Sequence, residues 1–181
     1  MTANAVAAIG AIAVLAFWML GAYNRLVRLR QAMAAAFAEL DAHFQQRHGL
    51  LGELVEAAAP QLGDAPEAVA AVEAARRQTR VAADHAAQRP AHAGRLASLA
   101  LAEQVLRTAL TRLVTLVKAG PALQADLRVR AAVTSLSTAQ HRISAARHRF
   151  NKAALEYNRS VQQFPTRLIA GLLGFQGSGK L

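Results

Sequence analysis

The chain carries 21 lysines and arginines against 11 acidic residues in 181, and it has no cysteine. Disulfides and thiolate chemistry are excluded, and the basic excess favours an acidic partner, anionic lipid head groups first. Alanine is abundant while glycine and proline are scarce and bunched, which predicts an all-α fold.

Thr2 to Tyr23 contains no charge, and the first charged residue is Arg25. About 20 such residues, rising ~1.5 Å each, cross a hydrocarbon core of about 30 Å. Val6, Ile9, Ile12 and Leu15 lie in this run. Trp18 and Tyr23 stand near one end, where amphipathic rings favour the membrane interface. A removable signal peptide would place a positive charge before a shorter apolar run. Residues 1–24 are therefore expected as a retained transmembrane anchor. Arg25, Arg28 and Arg30 come next, so the positive-inside rule predicts a single pass, N-terminus out, with the rest of the chain in the cytoplasm.

No breaker separates this run from the residues after it, so a first helix should continue to about Ala59. Leu26, Met33, Leu40 and Leu54 recur in sevens beside Phe37, Phe44 and Leu51, and Arg47 interrupts the first stripe. Pro60 to Pro66 ends it, with Asp64 as the expected N-cap of a second helix over 65–88. That helix is alanine-rich and bunches Arg76, Arg77 and Arg80. After Pro90 and Gly94, a third helix over 95–118 carries Leu96, Leu99, Leu106, Leu110, Leu113 and Val117, with Glu103 inside the pattern. Gly120-Pro121 should stop it.

A fourth helix is expected over 122–163. Leu136, Ile143, Phe150, Tyr157 and Phe164 fall seven apart after Val129, and a second stripe holds Val133, Gln140, Arg147, Ala154 and Val161. Short turns favour antiparallel neighbours. The architecture expected is thus a transmembrane helix continuous with an elongated antiparallel four-helix bundle of coiled-coil type over 25–164. An apolar segment and flexible tail complete the chain over 165–181. Helix parity returns Leu168, Ile169, Leu172, Leu173 and Phe175 to the bilayer end, where they either cap the core or lie in the interface.

No residue pattern announces chemistry. Gly174 to Lys180 fits the spacing GxxxxGK, but Leu181 stands where a phosphate-binding loop needs Ser or Thr, and neither the strand nor the helix is present. His141 and His148, like His85 and His92, are seven apart, about 10 Å of rise and too far for one metal ion. No metal, cofactor or catalytic residue is expected, and the chain is read as non-enzymatic. Arg47, Glu103, Gln140 and Arg147 occupy seam positions on different helices and are expected to form a polar cluster that sets register. Arg128, Arg130, Arg142, Arg147, Arg149 and Lys152 form an acid-free basic run. Without stacking aromatics or a reading motif, that run suits a solvated face or lipid head groups rather than nucleic acid.

Several stretches carry a resemblance. These are Tyr23-Asn24-Arg25-Leu26-Val27-Arg28-Leu29-Arg30, and Arg47-His48 with Leu50-Leu51 and Leu54-Val55-Glu56. Ala146 to Asn151, Tyr157-Asn158, Phe164-Pro165 and Leu168 to Gly171 with Gly174-Phe175 belong to the same set. Together they resemble the bacterial LemA family over nearly the whole chain, most specifically over 146–175. Gly52 stands where that family usually has proline, Gly49 where it has an acidic residue, Gln140-His141 where it has Glu-Asn, and Phe150 where it has tyrosine. The resemblance implies an anchor in the bacterial inner (cytoplasmic) membrane and a soluble antiparallel bundle, and it supplies no activity. Asn151 and Asn158, family-matching and seven apart, are expected to hydrogen-bond beside the seam.

These features predict a membrane-anchored helical scaffold or adaptor working through protein contacts, including self-association into a homo-oligomer. A second membrane protein is the other partner class expected. The competing expectation is a lipid-binding or membrane-remodelling module that uses the basic face and the C-terminal apolar segment.

Overall fold

The computed structural model describes residues 3–63 and 65–181, with side chains from residue 7 onward except at 64. The expected N-cap Asp64 and the side chain of Val6 lie outside the described residues. Every regular element among those described is helical. α1 spans Ala3–Ala58 and closes in a 3₁₀ turn over Ala59–Gln61. α2 spans Pro66–Gln88, α3 Ala93–Ala119, α4 Pro121–Ala125, α5 Leu127–Gln162 and α6 Thr166–Leu172.

The boundaries follow local chemistry. Pro60 in the 3₁₀ turn and Pro66 at the start of α2 bracket the first connection. His92, one of the spaced histidines, caps α3: its Nδ1 accepts from the Arg95 amide at 3.3 Å. The single fourth helix expected over 122–163 is in fact two. Asp126 is extended (φ −71°, ψ 118°), and its carboxylate accepts from the Arg128 and Val129 amides at 2.8 and 3.3 Å. Those two bonds hold its pKa below the ordinary carboxylate value. Asp126 is thus an N-cap, and the heptad from Val129 to Tyr157 lies in α5.

α5 packs along α1, and α2 along α3. Between α1 and α5, Phe37 meets Phe150 edge-on with ring centroids 5.6 Å apart and Arg149 donates to Glu39, and just past their ends Gln61 of the 3₁₀ turn donates to the N-cap Asp126 at 2.9 Å. Residue numbers rise on α1 as they fall on α5. The same holds for α2 and α3, where Arg112 donates to Glu67 at 2.9 Å and Arg95 to the His85 carbonyl at 2.7 Å.

Two hydrophobic clusters form the interior. One gathers Leu26, Met33, Phe37, Leu40 and Phe44 of α1 with Leu96, Leu99, Ile143, Phe150 and Tyr157. The other gathers Leu51, Leu54, Val72, Leu106, Leu113, Val129 and Leu136. Leu136, Ile143, Phe150 and Tyr157 are all buried, whereas Phe164 is 77% exposed. α5 ends at Gln162, so Phe164 lies past the helix and the heptad no longer sets its direction.

The companion stripe also differs from expectation. Ala132, Ala139 and Ala146 take the buried positions, joined by Ala154 and Val161, and Gln140 is exposed. Positions three and four after a seam residue both border the seam, because a 3.6-residue helix drifts against a seven-residue repeat. Alanine enters the crowded side without cost, while burying an amide requires a partner.

Candidate functional site

The level between the two clusters is polar. Arg47 of α1 is buried and donates from Nη1 to Glu103 Oε2 of α3 at 2.9 Å, while its Nη2 meets Oε1. Beside them Thr79 of α2 is buried and donates to the Ala102 carbonyl at 3.2 Å. Arg147 of α5, half-buried, brings its Nη2 to 3.7 Å from Glu103 Oε2. Arg47 also lies over the Phe44 ring, 5.2 Å from its centroid. Three of the four polar residues predicted to cluster therefore meet, and Gln140 stands outside. Thr79 belongs to the same level, and in the sequence it is one polar residue of an alanine-rich helix.

Charge in this layer does not balance. Arg47, Arg107 and Arg147 surround the carboxylate of Glu103, and among the described residues Nε of both Arg47 and Arg147 has no hydrogen-bond partner. Burial pushes the Arg147 pKa down. The pull of Glu103 opposes this, and the neighbouring charges of Arg107 and Arg47 add to it. A little away, Arg76 donates to the His48 carbonyl at 3.1 Å. Gly52 leaves room for this, since a Cβ there would stand 2.8 Å from Arg76 Nη1.

The segment after α6, whose last residues GSGK are expected as a flexible end, is hydrogen-bonded to α5. Asn158 Nδ2 donates to the Ser178 carbonyl at 2.9 Å and its Oδ1 accepts from the Ser178 amide at 2.7 Å. Asn151 repeats the pair on Leu181, at 2.6 and 3.0 Å. The Tyr157 hydroxyl donates to the Gln176 carbonyl at 3.0 Å.

Seven helical residues rise about 10 Å, and three extended residues cover about the same length. Each heptad asparagine therefore reads every third residue of an extended strap. On the opposite side, a Cβ on Gly179 would fall 3.1 Å from Ala93 Cα and 3.2 Å from its carbonyl oxygen, so the strap needs glycine where it crosses α3. Of the residues matching GxxxxGK, Gly174 lies in the turn after α6, and Gln176 to Lys180 belong to this strap.

A cavity and a groove lie between α3 and α5. Leu181 lines a small cavity together with Glu103, Arg107 and Arg147. The latter two also line a groove of about 690 Å³ that runs on past Leu110, Val114, Lys118, Val133 and Ser137. Among the described residues, no carboxylate lines that groove.

At the other end of the molecule, α6 divides its side chains. Ile169 and Ala170 are buried, while Leu168 (61% exposed), Leu172 (83%) and Leu173 face outward. After α6 the Phe175 amide donates to the Ala170 carbonyl at 2.9 Å, a closure that requires the left-handed backbone of Gly174 (φ +71°). Phe175 thereby turns in, half-buried, with its ring edge-on to Tyr23 at 6.1 Å. The outward leucines and Phe164 thus sit where α1 leaves the packed core.

The early part of α1 is apolar and unpacked. Ile9, Ile12, Leu15, Trp18 and Tyr23 are exposed. Within Ala7–Gln61, an 18-residue window reaches a mean hydropathy of 1.7 with no part of it buried, long and apolar enough to cross a membrane.

Residues 36–180 match the family model described as the LemA family, which covers most of the chain. No curated protein matches it.

Proposed function

The chain belongs to the LemA family, and on that footing we propose that it is a non-enzymatic scaffold or adaptor, anchored in the bacterial inner membrane by α1 and acting through protein contacts. In this reading residues 1–24 cross the bilayer N-terminus out, and α1, α2, α3 and α5 form an antiparallel four-helix bundle in the cytoplasm. The opposed numbering of the α1–α5 and α2–α3 contacts supports that arrangement. Self-association of identical copies would make the assembly.

The observation that carries the proposal is the continuity of α1, which passes from an apolar unpacked stretch into the centre of a solid core without a break. Such a shaft presents the surface of a rigid body at a fixed place relative to the membrane. The particle mass of the full-length protein in mild detergent tests this. A discrete assembly of many copies supports a scaffold, and a stoichiometric second protein supports an adaptor. A lone monomer removes both.

The exposed leucines of α6 favour a second reading, a module that rests on lipid. Phe164, Leu168, Leu172 and Leu173 form an apolar face beside the Tyr23–Phe175 contact, with Arg25, Arg28 and Arg167 near it in sequence. In a chain lacking residues 1–24, Leu168→Asp with Leu172→Asp should abolish flotation with anionic vesicles. Unchanged flotation would end the lipid reading.

A further inference from the structure

We infer that the groove between α3 and α5 binds an extended acidic peptide segment of a partner protein, seated along the row of α5 residues that already holds the strap. This deepens the adaptor reading by giving the partner's chemistry.

Three observations carry it. First, α5 already binds an extended backbone: Asn158 and Asn151 each donate to one carbonyl and accept from one amide, at Ser178 and Leu181. These bonds read main chain and not side chains, so they set direction and register without demanding one sequence. Ser144 and Ser137 are exposed and continue the same seven-residue row along α5. Their hydroxyls can meet the backbone of a guest at the next two steps.

Second, the groove's floor is apolar through Leu110, Val114, Val133 and Leu136. From Arg147 to Ser137 the helix rises about 15 Å, the length of about five extended residues. A guest of that length fits, running opposite to α5 as the strap does.

Third, the charge selects the guest. Arg107, Lys118 and Arg147 line the groove, and no carboxylate does among the described residues. Arg47, on the inner wall, is 95% removed from solvent, and its Nε has no partner among the described residues. Glu103 answers only part of this positive charge. A guest bearing glutamate or aspartate supplies the remainder, and a basic guest is repelled.

The test uses the full-length protein in detergent and a short fluorescent glutamate-rich peptide, with its lysine-for-glutamate counterpart as control. The acidic peptide should bind at about micromolar concentration and weaken as salt is raised. Arg107→Glu and Lys118→Glu change exposed residues, so the fold is retained, and each should weaken binding about tenfold. Equal binding of the lysine version, or unchanged affinity in both variants, would overturn the inference. So would free glutamate binding as tightly as the peptide, since that marks a small-anion site. The particle mass is indifferent to these outcomes, so failure here leaves the scaffold or adaptor reading to its own test.

Discussion

Glu103→Gln costs about 3–5 kcal/mol of folding stability, because it leaves the buried Arg47 guanidinium without its counter-charge. At about 2–4 °C per kcal/mol for a chain of this length, the thermal midpoint falls by about 10 °C, read by far-UV circular dichroism. Arg147 cannot take over as the partner, since it carries the same sign. The paired change Arg47→Met with Glu103→Leu behaves differently. With both charges gone there is nothing to strand, so the double variant is close to neutral or more stable. A loss under about 1 kcal/mol for Glu103→Gln would mean that water reaches Arg47 and that the layer is not dry.

Phe150→Ala removes a ring that is fully buried and edge-on to Phe37, and it should cost about 3–5 kcal/mol by lost burial and the cavity left behind. Phe164→Ala, two heptads along the same row, should change stability by no more than about 0.5 kcal/mol, because the ring is in solvent. Urea denaturation of the two variants side by side measures the contrast. Equal losses would mean that α5 runs on through Phe164 and that its ring is packed.

That contrast shows how far a residue pattern reaches. Leu136, Ile143, Phe150 and Tyr157 are buried where their spacing put them, because side-chain direction on an uninterrupted helix is fixed by its period. The row stops informing at Phe164, once the helix has ended, and Asp126 breaks the helix at its other end through two backbone bonds that heptad counting ignores. The pairing of Arg47 with Glu103 was readable, as two charges in seams can only be buried together. Gln140 was misplaced because alanine competes for the same side at no cost. Asn151 and Asn158 are expected to hydrogen-bond because they match the family's polar residues beside the seam, and they do. Their partners were invisible, since they are the main-chain groups of residues 178 and 181, and backbone has no signature in a sequence. The strap's glycines read as flexibility, and Gly179 stands where a Cβ would meet the backbone of Ala93.

α1 has no proline before Pro60, and the same unbroken helix that begins at Ala3 forms one wall of both cores. From Tyr23 to Ala58 it extends about 50 Å. Mechanically this is a cantilever without a joint. Any tilt imposed on the part ahead of Tyr23 is not absorbed by a linker and sweeps the far end, with whatever is docked along α3 and α5, sideways through a proportionate arc. Reach and orientation are therefore one variable in this molecule, set by how the first turns of a single helix are held.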